Sequence, residues 1–254
     1  MPFAAAAGRR IEYEWIGEPA QGVPALVFLH EGLGSIRQWR EFPLQVFKST
    51  GCAALVYNRY GYGASDVLAE PTRSVRFMHE EALESLPQLL SNLGIEAPIL
   101  VGHSDGASIA LIHAGAGHAV RGLALMAPHV FVEEHGLAGI REAKRAFETG
   151  DLRERLAKYH RDVAKTFRGW NDVWLSDGFR AWNIEEYLPG VRCPVLAIQG
   201  EDDAYGTMAQ VEAIRRKVSG PCEAVKLPAC GHAPHREQPD ATLAAVSRFV
   251  KALP

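Results

Sequence analysis

Five short apolar runs, at residues 25–29, 53–57, 98–101, 123–126 and 194–198, recur along the chain with amphipathic stretches between them. A strand buried on both faces reads as a continuous apolar run. A helix lying on a sheet instead needs apolar residues three and four apart. Residues 35–48, 72–93 and 207–218 have the length and spacing of such helices. This alternation predicts an α/β fold in which helices cover both faces of a sheet. With 254 residues, 47% of them hydrophobic and 22% charged, the chain can bury one large core, so one globular unit is expected.

The alternation breaks after Met126. Residues 129–188 carry three of the five tryptophans and no strand-like run. Residues 142–159 are rich in helix formers and charges, and residues 168–183 interleave Trp170, Trp174, Phe179 and Trp182 with polar positions. The expectation is a core of residues 1–128 and 191–254 interrupted by a helical cap at 129–190, placed over the C-terminal edge of the sheet. The alternative is a helical layer elsewhere on the same core.

Charge excludes several partners. A net charge of -3 leaves no broad basic field for nucleic acid or anionic membrane, which points to a small-molecule substrate. No apolar stretch reaches the roughly 20 residues of a membrane span, and residues 2–7 lack the charge and length of a signal peptide, so a cytoplasmic location is expected. Cys52, Cys193, Cys222 and Cys230 have no C-x-x-C spacing and read as ordinary buried thiols. The ten histidines show no H-E-x-x-H or comparable ligand spacing, so neither metal nor cofactor is expected. Nothing in the sequence speaks to oligomeric state.

The chemistry starts at residues 98–106. Pro98-Ile99-Leu100-Val101 runs into Gly102-His103-Ser104-Asp105-Gly106, and a helix-like pattern of Ala107, Ile109, Ala110, Leu111 and Ala114 follows. A bare G-x-S-x-G is a weak signal. Set between a buried strand and a helix, it marks a sharp turn that lifts the serine oxygen above the sheet, with glycines allowing close approach. Ser104 is therefore the candidate nucleophile.

A serine hydroxyl needs a base to take its proton and an acid to orient that base, in the chain order serine, acid, histidine. Gln199-Gly200-Glu201-Asp202-Asp203 follows one late strand, and Pro228-Ala229-Cys230-Gly231-His232 follows the next. Asp203 is the candidate acid, with Asp202 as its neighbouring competitor and Glu133 as a third possibility. His232 is the candidate base, with His235 three residues on as its competitor. His103 should point away from its neighbour Ser104 and serve in packing or hydrogen bonding. The first parallel strand ends in His30-Glu31-Gly32-Leu33-Gly34-Ser35, a loop able to expose backbone donors. The amide of Asp105 with that of Gly32 or Leu33 would form an oxyanion hole.

His30-Glu31-Gly32, Asn58-Arg59-Tyr60-Gly61-Tyr62-Gly63-Ala64-Ser65, the elbow, Asp203 and Gly231-His232 together make the chain resemble the α/β-hydrolase superfamily over nearly its whole length. The resemblance implies a mostly parallel eight-stranded sheet, a cap after the sixth strand, and a triad of Ser104, His232 and Asp203. Two positions depart from or vary within the pattern. Glu31 stands where family members often have glycine, and Asp105 follows the nucleophile. The G-x-S-D-G elbow is similar to that of the valacyclovir hydrolase-like branch, which implies that Asp105 meets a substrate amino group. Internal pairing with Arg59, Arg37 or a nearby histidine is the alternative for both acids.

The expected activity is hydrolysis of a small carboxylic ester through an acyl-enzyme. Trp170, Trp174 and Trp182 are expected to wall the substrate pocket, together with Glu31, Asp105, His129 and His235. A carbon-carbon hydrolase of meta-cleavage products, a lactonase, amidase or thioesterase, and a non-catalytic binding protein are the alternatives. A dehalogenase would carry aspartate at position 104.

Overall fold

A computed structural model describes residues 1–253. Eight strands form one sheet: β1 (Phe3–Ala6), β2 (Arg9–Ile16), β3 (Leu26–Leu29), β4 (Ala54–Tyr57), β5 (Ile99–His103), β6 (Gly122–Met126), β7 (Val195–Gly200) and β8 (Cys222–Leu227). Their spatial order is β1-β2-β4-β3-β5-β6-β7-β8. β2 pairs antiparallel with both β1 and β4, and every other neighbouring pair is parallel.

The five apolar runs are β3 to β7, the central parallel strands. Their side chains alternate between two cores. Val27, Leu29, Leu55, Tyr57, Leu100, Leu123 and Leu125 face one side, and Leu26, Phe28, Val56, Ile99, Val101 and Met126 face the other. β5 and β7 run past their apolar stretches into His103, Gln199 and Gly200. The sheet thus carries polar side chains at its C-terminal edge, where loops can gather them.

The second face is covered by α1 (Phe42–Thr50) and α10 (Pro239–Ala252). The first is covered by α2 (Phe77–Glu80), α3 (Leu86–Asn92), α4 (Asp105–Gly115) and α8 (Met208–Lys217), while α9 (Pro234–Glu237) is a single turn ahead of α10. Two expected helices are broken. Residues 35–48 split at Arg40, whose φ of 53° separates a 3-10 turn, Ile36–Trp39, from α1. Residues 72–93 widen into a π-turn at Glu81–Ser85, just before Pro87, which has no N–H to continue the helical ladder.

Between β6 and β7 lie α5 (Glu134–Thr149), α6 (Leu152–Ala157), α7 (Val163–Trp174) and two 3-10 turns, with no strand among the described residues. A single antiparallel bridge, Phe131 to Asn183, brings the two ends of this stretch side by side. The stretch is tied to loops at the C-terminal edge of the sheet. His160 is buried, with Nε2 3.1 Å from the Leu33 carbonyl and Nδ1 3.1 Å from the Gly63 amide. The Thr166 hydroxyl donates to the Gly61 carbonyl at 2.7 Å. No described helix is long and apolar enough to cross a membrane.

Candidate active site

Ser104 sits between the last residue of β5 and the first of α4, with φ 54° and ψ -121°. That left-handed conformation is strained for a residue with a β-carbon. The strain is held by packing that leaves no room for side chains beside the turn. A β-carbon on Gly102 would lie 2.6 Å from Ala107 Cα, and one on Gly106 would overlap the Leu29 carbonyl.

Three side chains from three strand ends meet here. Ser104 Oγ lies 2.9 Å from His232 Nε2, and His232 Nδ1 lies 2.9 and 2.8 Å from the two Asp203 carboxylate oxygens. Facing a carboxylate, Nδ1 carries the proton, which leaves Nε2 free to accept the serine hydroxyl. Asp203 also accepts from Gln199 Nε2 at 2.7 Å and from the Tyr205 amide at 2.8 Å. Burial works to raise the Asp203 carboxyl, but His232 and the Tyr205 amide take it down to about 2.

The competitors named from sequence lie elsewhere. Asp202 is exposed. Glu133 accepts from the Thr207 amide and hydroxyl and from Gln210 Nε2, so its carboxylate is used to fix the start of α8. The His235 ring packs 4.9 Å from Trp39, 5.6 Å from Phe42 and 5.0 Å from His103, measured between centroids. It does not line the cavity described next, contrary to expectation, because α9 turns it into the second core.

A cavity of about 150 Å³ opens above Ser104. Its walls include Gly32, Leu33, Asp105, His129, Trp170 and Trp174, as the sequence suggested, and also Gly136, Ile140 and Tyr205, which it did not. Gly136 and Ile140 are four apart on α5 and so share one face. The Tyr205 ring packs tilted against the His232 ring, 4.6 Å between centroids, and its only sequence signal is its place two residues after Asp203. Trp182, also expected in the wall, does not line the cavity. Its ring is stacked on Phe179 at 5.2 Å and lies 6.0 Å from Trp174, so it supports the wall from behind rather than facing the cavity. His129 is buried with its carbonyl held by Ser108 Oγ at 2.6 Å, and burial followed by the nearby His232 lowers its imidazole to about 3. Among the described residues, no acceptor faces the amides of Gly32, Leu33 or Asp105.

Both unusual acids line this cavity, and each faces a basic side chain. Glu31 Oε2 is 3.4 Å from His103 Nδ1. Asp105 Oδ2 is 3.8 Å from Arg59 Nη2, with both side chains almost completely buried. Arg59 in turn donates to the carbonyls of His30 and Glu31, at 3.2 and 2.9 Å. Neither Asp105 oxygen makes a hydrogen bond of regular geometry, and neither does the Trp174 indole nitrogen, which nonetheless lies close enough to the carboxylate to help hold it down. Burial raises the Asp105 carboxyl, with Arg59 opposing. Arg37 lies apart, bonded to the Lys158 carbonyl. No group of three or more His, Cys, Asp or Glu among the described residues could hold a metal ion.

The family model described as the alpha/beta hydrolase family matches residues 26–246. A proline iminopeptidase of Clostridioides difficile (strain 630) is 32% identical over 114 residues, 45% of this chain and 36% of that protein, so the match spans about a third of that relative. The crystal structure of VinJ superposes with a TM-score of 0.76 at 22% identity, covering 100% of this chain and 98% of that one. The enol-lactonase from Burkholderia xenovorans LB400 superposes with a TM-score of 0.76 at 19% identity, covering 98% and 99%. At these identities the structural likeness is one of fold.

Proposed function

The chain belongs to the alpha/beta hydrolase family, and from that premise we propose that it is a serine hydrolase that cleaves small carboxylic esters through an acyl-enzyme. The observation that carries this reading is the unbroken line from Asp203 through His232 to Ser104 at the floor of a cavity. Ser104 Oγ attacks the acyl carbon as its proton passes to His232 Nε2. Asp203 holds the ring by Nδ1–H and stabilises the imidazolium. The amides of Asp105 and of Gly32 or Leu33 receive the oxyanion. His232 then returns its proton to the departing alcohol, and water hydrolyses the acyl-enzyme by the same route.

The size and lining of the cavity support a small, uncharged acyl group. At about 150 Å³, between indoles and Ile140, it suits a short chain. Each carboxylate already has a basic side chain beside it, Arg59 for Asp105 and His103 for Glu31, which favours a neutral substrate over an amino-bearing one. A dienoic acid, as carbon-carbon hydrolysis would require, would bring a third carboxylate close to Glu31 and Asp105. In this reading the helices between β6 and β7 form a cap that closes the site from above. A lactonase and an iminopeptidase among the related proteins make lactones and amides the next substrates to test after esters.

The test is a panel of aryl and alkyl esters of graded acyl length, assayed beside Ser104→Ala and labelled with a fluorophosphonate. Turnover of short esters with labelling at Ser104, both abolished in the variant, is the expected result. Full activity in Ser104→Ala would overturn it.

A further inference from the structure

Glu31 lies on the cavity wall, yet nothing in the proposed reaction uses it. Its partner, His103, is only 2% exposed and stands next to the nucleophile in sequence. His103 Nε2 lies 2.6 Å from the backbone carbonyl of His232. A carbonyl only accepts, so Nε2 carries a proton. The other ring nitrogen faces the Glu31 carboxylate at 3.4 Å. An ionised carboxylate also only accepts, so a hydrogen bond here requires a proton on this nitrogen too, as in the imidazolium form of the ring.

The placement joins three loops. Glu31 precedes Gly32, on one arm of the oxyanion pocket. His103 precedes Ser104 at the elbow, and the carbonyl it holds belongs to His232. We propose that Glu31 and His103 are positioning residues for the hydrolysis proposed above: His103, doubly protonated and held by Glu31, fixes the His232 backbone and the oxyanion arm against the elbow, so that turnover requires this second histidine in its cationic form. The inference rests on that reading of the site.

Loss of the Nδ1 proton would turn a lone pair towards an ionised carboxylate. Glu31 would then swing away and carry Gly32 with it. Burial lowers the His103 imidazole, but Glu31 and the His232 carbonyl outweigh this and raise it above its ordinary 6.5. The contribution of the pair is thus complete below pH 6.5 and is lost as pH rises through the folded-state value, giving an alkaline limb. The other groups around His103 are His232 at 5.2 Å between ring centroids, with Asp203 behind it, and His235 at 5.0 Å, with Arg40 and Arg236 beyond. Burial, then the charge of His103, lowers His235 to about 3, so it stays neutral through this range. Trp39, 6.2 Å away, is uncharged.

The experiment compares the pH dependence of kcat and KM on p-nitrophenyl acetate for the full chain, Glu31→Gln and Glu31→Asp. Fluorophosphonate labelling rates are measured on the same proteins, and His103 is titrated by ring-nitrogen NMR. In Glu31→Gln the alkaline limb should move down by about one pH unit, with kcat at pH 8 falling about tenfold and KM little changed, while Glu31→Asp restores the limb. Superimposable profiles for all three, or a His103 ring that is neutral at pH 6 in the unmodified chain, would overturn the inference. The NMR titration needs neither a variant nor turnover, so it decides the matter even where Glu31→Gln folds poorly. Absence of labelling in the unmodified chain would instead count against the hydrolase reading itself.

Discussion

Trp170 holds its indole nitrogen in the space that a β-carbon on Gly32 would occupy. The two residues come from distant parts of the chain, yet one fits only because the other has no side chain. The indole is therefore pressed directly against the backbone proposed to bind the oxyanion. Gly32→Ala should displace either the ring or the loop, lowering kcat/KM on short aryl esters about tenfold or more and stability by about 1–3 kcal/mol. Adding Trp170→Ala should restore part of the stability, as read by thermal melts. Alone, Trp170→Ala should shift preference towards longer acyl chains, measured as the ratio of kcat/KM for octanoate and acetate esters.

Asp203→Asn should leave the cavity intact while removing the charge that stabilises the His232 imidazolium. A fall in kcat on the order of 10⁴ is expected from the comparable change in serine proteases. The Asp203 carboxyl, held near 2 against an ordinary 3.8, adds stability that is complete above about pH 4 and lost as pH falls towards 2. Acid-unfolding curves of the variant should lack that component.

Arg59 and Asp105 are both buried and face one another at 3.8 Å. Arg59→Met strands the carboxylate and should cost about 3–5 kcal/mol in urea unfolding. In Arg59→Met with Asp105→Asn, much of that loss should be recovered. An additive double variant would show that the two charges do not interact.

His160 joins the α6–α7 connection to the Leu33 and Gly63 backbones as a neutral ring. Burial, only partly offset by the Leu33 carbonyl, lowers it from 6.5 to about 4. A base with a depressed value contributes stability that is full above pH 6.5 and lost as pH falls towards 4, here on the order of 3 kcal/mol. His113, lowered to about 4 chiefly by burial, adds to the same trend. The melting temperature should drop markedly between pH 7 and pH 4.5, and less so in His160→Gln.

The parts of this fold that were legible in the sequence are those whose burial is total. β3 to β7 are covered on both faces and so read as uninterrupted apolar runs. β2 sits at the antiparallel end of the sheet with Arg9, Arg10 and Glu14 along it and left no such run. Ser104, Asp203 and His232 could be chosen because each follows a strand end in a fixed chain order. Trp182 and His235 were misplaced for the opposite reason: composition shows that a ring is near the site but not which side of its helix or turn faces inward. Tyr205 and Ile140 reach the cavity only through packing between distant segments, which no local pattern records.

The bridge between Phe131 and Asn183 has a consequence for descent. Since the stretch between them leaves and rejoins the sheet at one point, a lineage can lengthen, shorten or swap it as a cassette without moving the strand ends beneath. Gly136, Ile140, Trp170 and Trp174 ride on that stretch, so a change in it would reshape one wall of the cavity while leaving Ser104, Asp203 and His232 on their strand ends.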